Sequence, residues 1–184
     1  MGKEEKKEKE KPFKLDLACG NNKTPGTIGV DCKKTPNVDV VHNLTKFPYP
    51  WEDNSVDEIY CNHYVEHTED LISFIDECWR ILKPEGKMYI SAPYYSSIGA
   101  WQDPTHIRAI SEATFLYFNK QWREQNRLEH YGIKSDFDFT YGYTVAPEWA
   151  NRSDEEKAFA IRYYINVVSD IYVILTKKQP SQIE

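Results

Sequence analysis

One amphipathic stripe constrains this chain more than any other feature. Between Thr68 and Leu82 the apolar residues Leu71, Ile72, Ile75, Cys78, Trp79 and Leu82 fall at i, i+1, i+4, i+7, i+8 and i+11, the spacing of one helix face. The stripe ends at Lys83-Pro84-Glu85-Gly86, and runs of strand length, Glu58–Cys61 and Met88–Ala92, flank it. Strand, helix, strand implies a parallel pair joined by a crossover, hence an α/β sheet.

The remaining punctuation extends that sheet in both directions. Phe13–Leu17 reads as a strand ending at Ala18-Cys19-Gly20, Thr27–Val30 as a second ending at Asp31, and Val38–Val41 as a third. The stretch between Gly20 and Asp31 is too short for a crossover helix with its turns, which needs about a dozen residues, so Asn21–Gly26 is expected to be a loop or a single turn. Pro48 and Pro50 keep Phe47–Trp51 out of any helix interior. Helices are expected over Ser111–Phe118, around Trp122–His130 and near Ser153–Ile161, with an aromatic-rich segment Phe137–Val145 and a last strand Asp170–Thr176.

Composition sets the limits of function. A chain of 184 residues with 40% hydrophobic content suits one domain, here residues 12–178, with a real core. Residues 1–11, five Lys and four Glu with no apolar residue after Met1, predict a disordered charged tail, and residues 179–184 a flexible C-terminus. No window approaches 18 uncharged apolar residues and no secretory leader is visible, so a cytoplasmic location without membrane contact is expected. A net charge of −6 argues against holding nucleic acid by phosphate neutralisation. Cys19, Cys32, Cys61 and Cys78 occur singly, which predicts reduced thiols and excludes zinc-ribbon spacings.

In an open α/β sheet the ligand lies beyond the carboxyl ends of the strands. The residues at those ends are Ala18-Cys19-Gly20, Asp31, Asn43-Leu44, Asn62-His63 and Pro93-Tyr94-Tyr95. Gly20 lets backbone N–H groups approach an anionic group, and an acid ending the next strand can accept from both ribose hydroxyls, so the pair suits a nucleoside. A full G-x-G-x-x-G is absent, because Ala18 takes the first glycine position and Lys23 the last; a pyrophosphate site, and with it a nicotinamide-dependent oxidoreductase, is poorly supported.

Leu15-Asp16-Leu17-Ala18-Cys19-Gly20, Gly29-Val30-Asp31, Asp53–Ile59, Val65-Glu66-His67 and Leu82–Lys87, in this order and spacing, resemble the motif series of small class I S-adenosylmethionine-dependent methyltransferases, type 11-like, in their short bacterial, archaeal and phage branch. The resemblance runs from about Phe13 to Thr176. It implies an α/β, Rossmann-like, mostly parallel sheet with helices on both faces and an antiparallel C-terminal strand, and S-adenosylmethionine as cofactor. It also implies that Asp16, Ala18, Cys19 and Gly20 face the methionine portion, that Asp31 binds the ribose, that Asn43 and Leu44 lie beside adenine, and that Asn62 and His63 stand near the sulfonium. Ala18 and Asn43 depart from the usual Gly and Asp. Asn43 would still offer an amide oxygen to the adenine amino group.

The string His63-Tyr64-Val65-Glu66-His67 also spells the H-x-x-E-H of an inverted zinc protease, with Glu148 available as a third ligand. A zinc hydrolase of that kind needs both histidines inside a helix, whereas His63 falls in the turn after a strand, so no metal is expected. His67 is expected to hydrogen-bond across its loop and to pack at the start of the following helix. Asp103-Pro104-Thr105-His106 lies in a long aromatic loop after the fifth strand. His106 there is a candidate general base oriented by Asp103, or both simply tie down the loop. Tyr94, Tyr95 and Trp101 are expected to wall the pocket. The expected activity is methyl transfer to an oxygen or nitrogen of a small polar acceptor, for example a sugar, with a non-catalytic nucleoside-binding scaffold as the alternative.

Overall fold

The computed structural model describes residues 11–179. In chain order it contains β1 (Lys14–Leu17), β2 (Ile28–Asp31), β3 (Val40–Val41), β4 (Val56–Asn62), α1 (Leu71–Ile81), β5 (Leu82–Pro93) and α2 (Gly99–Gln102). A 3-10 segment Glu112–Phe118, α3 (Lys120–Gln125), a 3-10 turn Glu129–Tyr131, β6 (Phe137–Val145), α4 (Pro147–Ala150), α5 (Asp154–Tyr163) and β7 (Val168–Lys177) follow. The charged leader, apart from Lys11, and residues 180–184 lie outside the described residues.

The strands form one sheet in the order β3-β2-β1-β4-β5-β7-β6. Pairings from β3 through β5 are parallel, and β7 pairs antiparallel with both β5 and β6. The expected mostly parallel sheet with an antiparallel C-terminal end is present. The chain runs outward from β1 to β3, then returns across β1 to β4 and β5, so strand order reverses between β1 and β4.

The stripe is met in part: Leu71, Ile75 and Cys78 are buried as expected, whereas Ile72 and Trp79 are half-buried, Leu82 begins β5, and Phe74 and Ile81 complete the buried face. Leu71, Phe74, Ile75, Cys78 and Ile81 of α1 are buried and join Leu15, Leu17, Ile59, Met88, Ile90, Val173 and Leu175 in one core. Asp70 caps the helix by accepting from the Ser73 N–H at 2.9 Å. The last carbonyls are all satisfied: Cys78 accepts from Leu82 N–H, Arg80 from Asn54 N–H, Ile81 from Ser55 N–H, and Trp79 from the ammonium of Lys177.

Right-handed crossovers place the β4–β5 helix on one face, and would place any helix joining β1 to β2 or β2 to β3 on the other. Those two connections contain no helix, in keeping with the short interval before Asp31. The second face over β4 and β5 is consequently open. Tyr60 and Tyr89 stack there with ring centroids 4.9 Å apart, Lys14 pairs with Glu58 at 2.8 Å, and Lys87 and Tyr172 are exposed. Of the β1-to-β5 connections, the one between β4 and β5 carries α1, and the two between β1 and β3 are too short to add helices of their own.

Candidate active site

The end of β1 turns sharply. Ala18 and Gly20 both take left-handed φ, +58° and +49°, and no atom lies within 4 Å of where a Cβ on Gly20 would stand, so the backbone there borders open space. Gly20 N–H donates to Asp31 Oδ2 at 3.0 Å and Lys33 N–H to Asp31 Oδ1 at 3.1 Å. The carboxylate ending β2 is thereby locked against the turn ending β1. Asp16, buried, accepts from Thr24 N–H at 2.5 Å and holds the loop from below; burial raises its pKa. Cys19 is buried behind the turn, where burial likewise raises its thiol pKa. Gly29 is a packing glycine: a Cβ would stand 2.4 Å from the Asn37 carbonyl oxygen.

The other strand ends differ in character. Asn43 accepts at Oδ1 from the N–H and hydroxyl of Thr45, so its oxygen is committed to its own turn. Leu44 is buried and gives its carbonyl to the Tyr49 hydroxyl, which makes it core more than rim. Asn62 Oδ1 accepts from the Ser91 hydroxyl at 2.9 Å.

Beyond β4 and β5 lies a cavity of about 600 Å³, among whose lining residues are His63, Glu66, His67, Asp103, His106 and Asp170. None of the residues of the β1 and β2 turns lines it; β4, whose end leads to His63, pairs with β1 through Leu17 and Cys61. His63 has a left-handed φ of +50° and stands half-exposed, its Nδ1 3.4 Å from Glu66 Oε1 and its Nε2 3.9 Å from Asp170. Glu66 raises the His63 pKa. Glu66 itself is 1% exposed, and neither of its oxygens has a hydrogen-bond partner. The His63 contact is close enough for charge attraction but lacks hydrogen-bond geometry.

His106 Nδ1 lies 3.2 Å from the Ala100 carbonyl, and its Nε2 is 3.9 Å from Asp103 Oδ2, beyond hydrogen-bond reach. Asp103 instead accepts from the N–H and hydroxyl of Thr105, which hold its pKa below the usual carboxylate value. Tying the loop is its observed work. His67 Nδ1 reaches the hydroxyl and carbonyl of Thr105, at 3.0 and 3.2 Å, bonding to a neighbouring loop and not across its own. The two loops are further joined by Ile107 N–H donating to the Glu66 carbonyl and by Arg108 donating to those of Thr68 and Glu69.

The aromatic residues do not wall this cavity. Tyr94 is buried and donates its hydroxyl to Glu112, Trp101 is 68% exposed with its indole N–H on the Tyr95 carbonyl, and none of the three lines the space. Buried rings here serve packing. H-x-x-E-H likewise does not form a helical zinc motif, since His63, Glu66 and His67 precede α1, and Glu148 is exposed on α4. The structure brings Asp16, Ala18, Cys19, Gly20 and Asp31 together at one turn and His63, Asp103 and His106 around one cavity. Asp170, which sequence reasoning missed, reaches that cavity only because β7 inserts beside β5, a placement with no local signal.

The residues fit a nucleoside cofactor. The open glycine turn leaves space for a ligand against the backbone, and a carboxylate whose two oxygens accept about four hydrogen bonds has spent two on backbone and keeps room for two hydroxyls.

Comparison with known proteins agrees with this geometry. The sequence profile described as a methyltransferase domain matches residues 19–90. A protein of Mycolicibacterium smegmatis described as a probable S-adenosylmethionine-dependent methyltransferase is 35% identical over 83 residues, covering 42% of this chain and 32% of that protein. The match therefore spans about a third of that relative's length. The crystal structure of an S-adenosylmethionine-dependent methyltransferase from Archaeoglobus fulgidus superposes with a TM-score of 0.59 at 20% identity, over 90% of this chain and 86% of that one. A Haemonchus contortus phosphoethanolamine N-methyltransferase, solved with phosphomonomethylethanolamine and S-adenosylhomocysteine, gives 0.51 at 17% identity, over 91% of this chain and 49% of that one. At such identities the structural likeness is one of fold. Residues 19–90 thus match the methyltransferase-domain model, and the described chain as a whole has the fold of the S-adenosylmethionine-dependent methyltransferases.

Proposed function

We propose that the protein binds S-adenosylmethionine along the carboxyl ends of β1, β2 and β4 and moves its methyl group to an oxygen or nitrogen of a small polar acceptor, such as a sugar hydroxyl, in the cavity beside His63. The observation that carries this reading is the lock between the open Gly20 turn and Asp31. The cofactor supplies an activated methyl group on a sulfonium leaving group. This chain's residues hold and align. Asp31 takes the ribose hydroxyls, the open backbone at Gly20 leaves room for the methionine portion, and Asp16 keeps the turn in place through Thr24. Asn43, whose oxygen is committed, offers adenine its amide hydrogens. The acceptor proton passes to an imidazole of the cavity, His106 or His63, because in-line displacement needs the nucleophile's lone pair exposed as the bond forms.

Calorimetry with S-adenosylhomocysteine tests the cofactor assignment. One equivalent should bind the wild type, NAD should not bind, and Asp31→Ala should weaken affinity by about 1.5–3 kcal/mol, roughly tenfold to 150-fold. An unchanged dissociation constant in Asp31→Ala would move the ribose elsewhere. Acceptors are screened by S-adenosylhomocysteine release from sugars, nucleotide sugars and small phenols. On a verified acceptor, alanine at the true base should cut turnover by roughly a hundredfold or more with cofactor affinity near wild type. Full turnover in both His106→Ala and His63→Ala would remove imidazole base catalysis from the mechanism.

A further inference from the structure

Glu66 presents a physical problem that cofactor binding does not solve. It is a nearly fully buried carboxylate on the wall of the cavity with neither oxygen hydrogen-bonded; the half-exposed His63 imidazole 3.4 Å away supplies charge attraction without a hydrogen bond and leaves room for a directly bound cation. Potential ligand atoms of Glu66, His67 and His106, one from each, all lie within 4.8 Å of one another. The two imidazoles are oriented alike. His106 Nδ1 faces the Ala100 carbonyl and His67 Nδ1 faces the carbonyl and hydroxyl of Thr105, so in each ring Nδ1 carries the donated hydrogen and Nε2 the lone pair. A ring nitrogen anchored on a carbonyl, which leaves the other free to bind an ion, is the outer-shell arrangement of histidine metal ligands. A sulfonium or ammonium held by Glu66 would not require either imidazole to be turned this way.

We propose that Glu66, His67 and His106 bind a divalent transition-metal ion of the zinc class, at a site on the wall of the acceptor cavity. Two neutral imidazoles and one carboxylate make a borderline donor set suited to Zn²⁺, with a remaining coordination position open to the cavity. The ion lies within reach of an oxygen donor, and so selects acceptors that present a hydroxyl or carboxylate. The donors come from two loops, and the Ile107 and Arg108 hydrogen bonds to residues 66, 68 and 69 hold those loops in register without metal. With its Nε2 lone pair on the ion, His106 is withdrawn from base work, leaving His63 to take the acceptor proton. The cavity's role as the acceptor site rests on the methyltransferase reading, but the ligand set does not.

The test uses the untagged full chain, stripped with chelator and titrated with Zn²⁺ by calorimetry, with elemental analysis of the dialysed protein and cobalt(II) spectra as a second readout. One equivalent of zinc should be retained, and cobalt should give visible d–d bands without a thiolate charge-transfer band. Glu66→Gln, His67→Ala and His106→Ala should each lower zinc affinity by at least roughly tenfold to a hundredfold while circular dichroism stays native. A folded wild type that retains no zinc, or any of the three variants binding zinc as tightly as wild type, overturns the site. S-adenosylhomocysteine binding, measured separately, tells the two proposals apart: zinc bound without nucleoside supports the metal site and removes the methyltransferase reading.

Discussion

Lys177→Met is the perturbation whose size follows most directly from the structure. The Lys177 ammonium, 4% exposed, donates to Asn54 Oδ1 at 2.8 Å, to the Trp79 carbonyl at 2.6 Å and to the Leu82 carbonyl at 2.8 Å, and sits 4.4 Å from the Trp79 ring centroid. Methionine keeps the volume and leaves two carbonyls at the end of α1 without partners, at about 1–3 kcal/mol each. Against this, burial pushes the ammonium pKa down to about 8 from 10.5, so holding the charged form costs the wild type about 3 kcal/mol at neutral pH. The two effects nearly offset, and the variant should lie within about 0–3 kcal/mol of wild type at pH 7. The pH dependence is sharper. Between the two pKa values the unfolded chain binds more protons than the folded one, so wild-type stability rises with pH in that window, while the variant lacks the term. The wild type should gain on Lys177→Met by about 1 kcal/mol at pH 9 and about 2–3 kcal/mol at pH 10, relative to pH 7. Urea unfolding of both proteins at the three pH values measures this difference, and other titrations common to both cancel. A gap that stays constant or narrows with rising pH would refute the assignment of Lys177 as a desolvated cation.

Gly29→Ala should destabilise by about 1–3 kcal/mol in thermal or urea melts, because the new methyl group meets the Asn37 carbonyl oxygen, and it should weaken S-adenosylhomocysteine binding by displacing the neighbouring Cys19. Arg80→Met should cost about 3–5 kcal/mol in the same melts. Arg80 chelates the largely buried Glu77 at 2.9 and 2.6 Å, and its loss leaves that carboxylate holding only the Tyr49 N–H. Burial is the largest single effect on Glu77 and raises its pKa, but Arg80 and the Tyr49 N–H together outweigh it and hold the pKa below its ordinary value, so wild-type stability should fall as pH drops below about 4.5, and this acid limb should flatten in Glu77→Gln.

What could be read from the sequence was what repeats locally. The 3.6-residue stripe of α1 and the helix-free interval before Asp31 each report their own backbone, so strand, helix and turn were legible there. Tyr94, by contrast, follows a strand end as a pocket residue would, yet its burial and its bond to Glu112 depend on a segment that no local pattern ties to it. His106 was legible as a chemical residue, but its companion Glu66 was masked by a motif that belongs to helical metalloenzymes. Only the folded register of the 62–69 and 103–108 loops brings Glu66 and His67 of the H-x-x-E-H letters together with His106.

The insertion of β7 between β5 and β6 has a consequence for how the molecule assembles. Until Val168–Lys177 docks, β5 presents an unpaired antiparallel edge carrying Met88, Ile90 and Ala92, and β6 has no strand to pair with at all. Closing a loop of the length between β5 and β7 is an entropically costly, late event, so the half of the sheet built from β1 to β5 must wait as an open template during synthesis. Any lesion that delays β7, whether a nick in the 94–167 segment or a proline within the strand, should therefore register first as self-association through the β5 edge, before any loss of the folded state is visible.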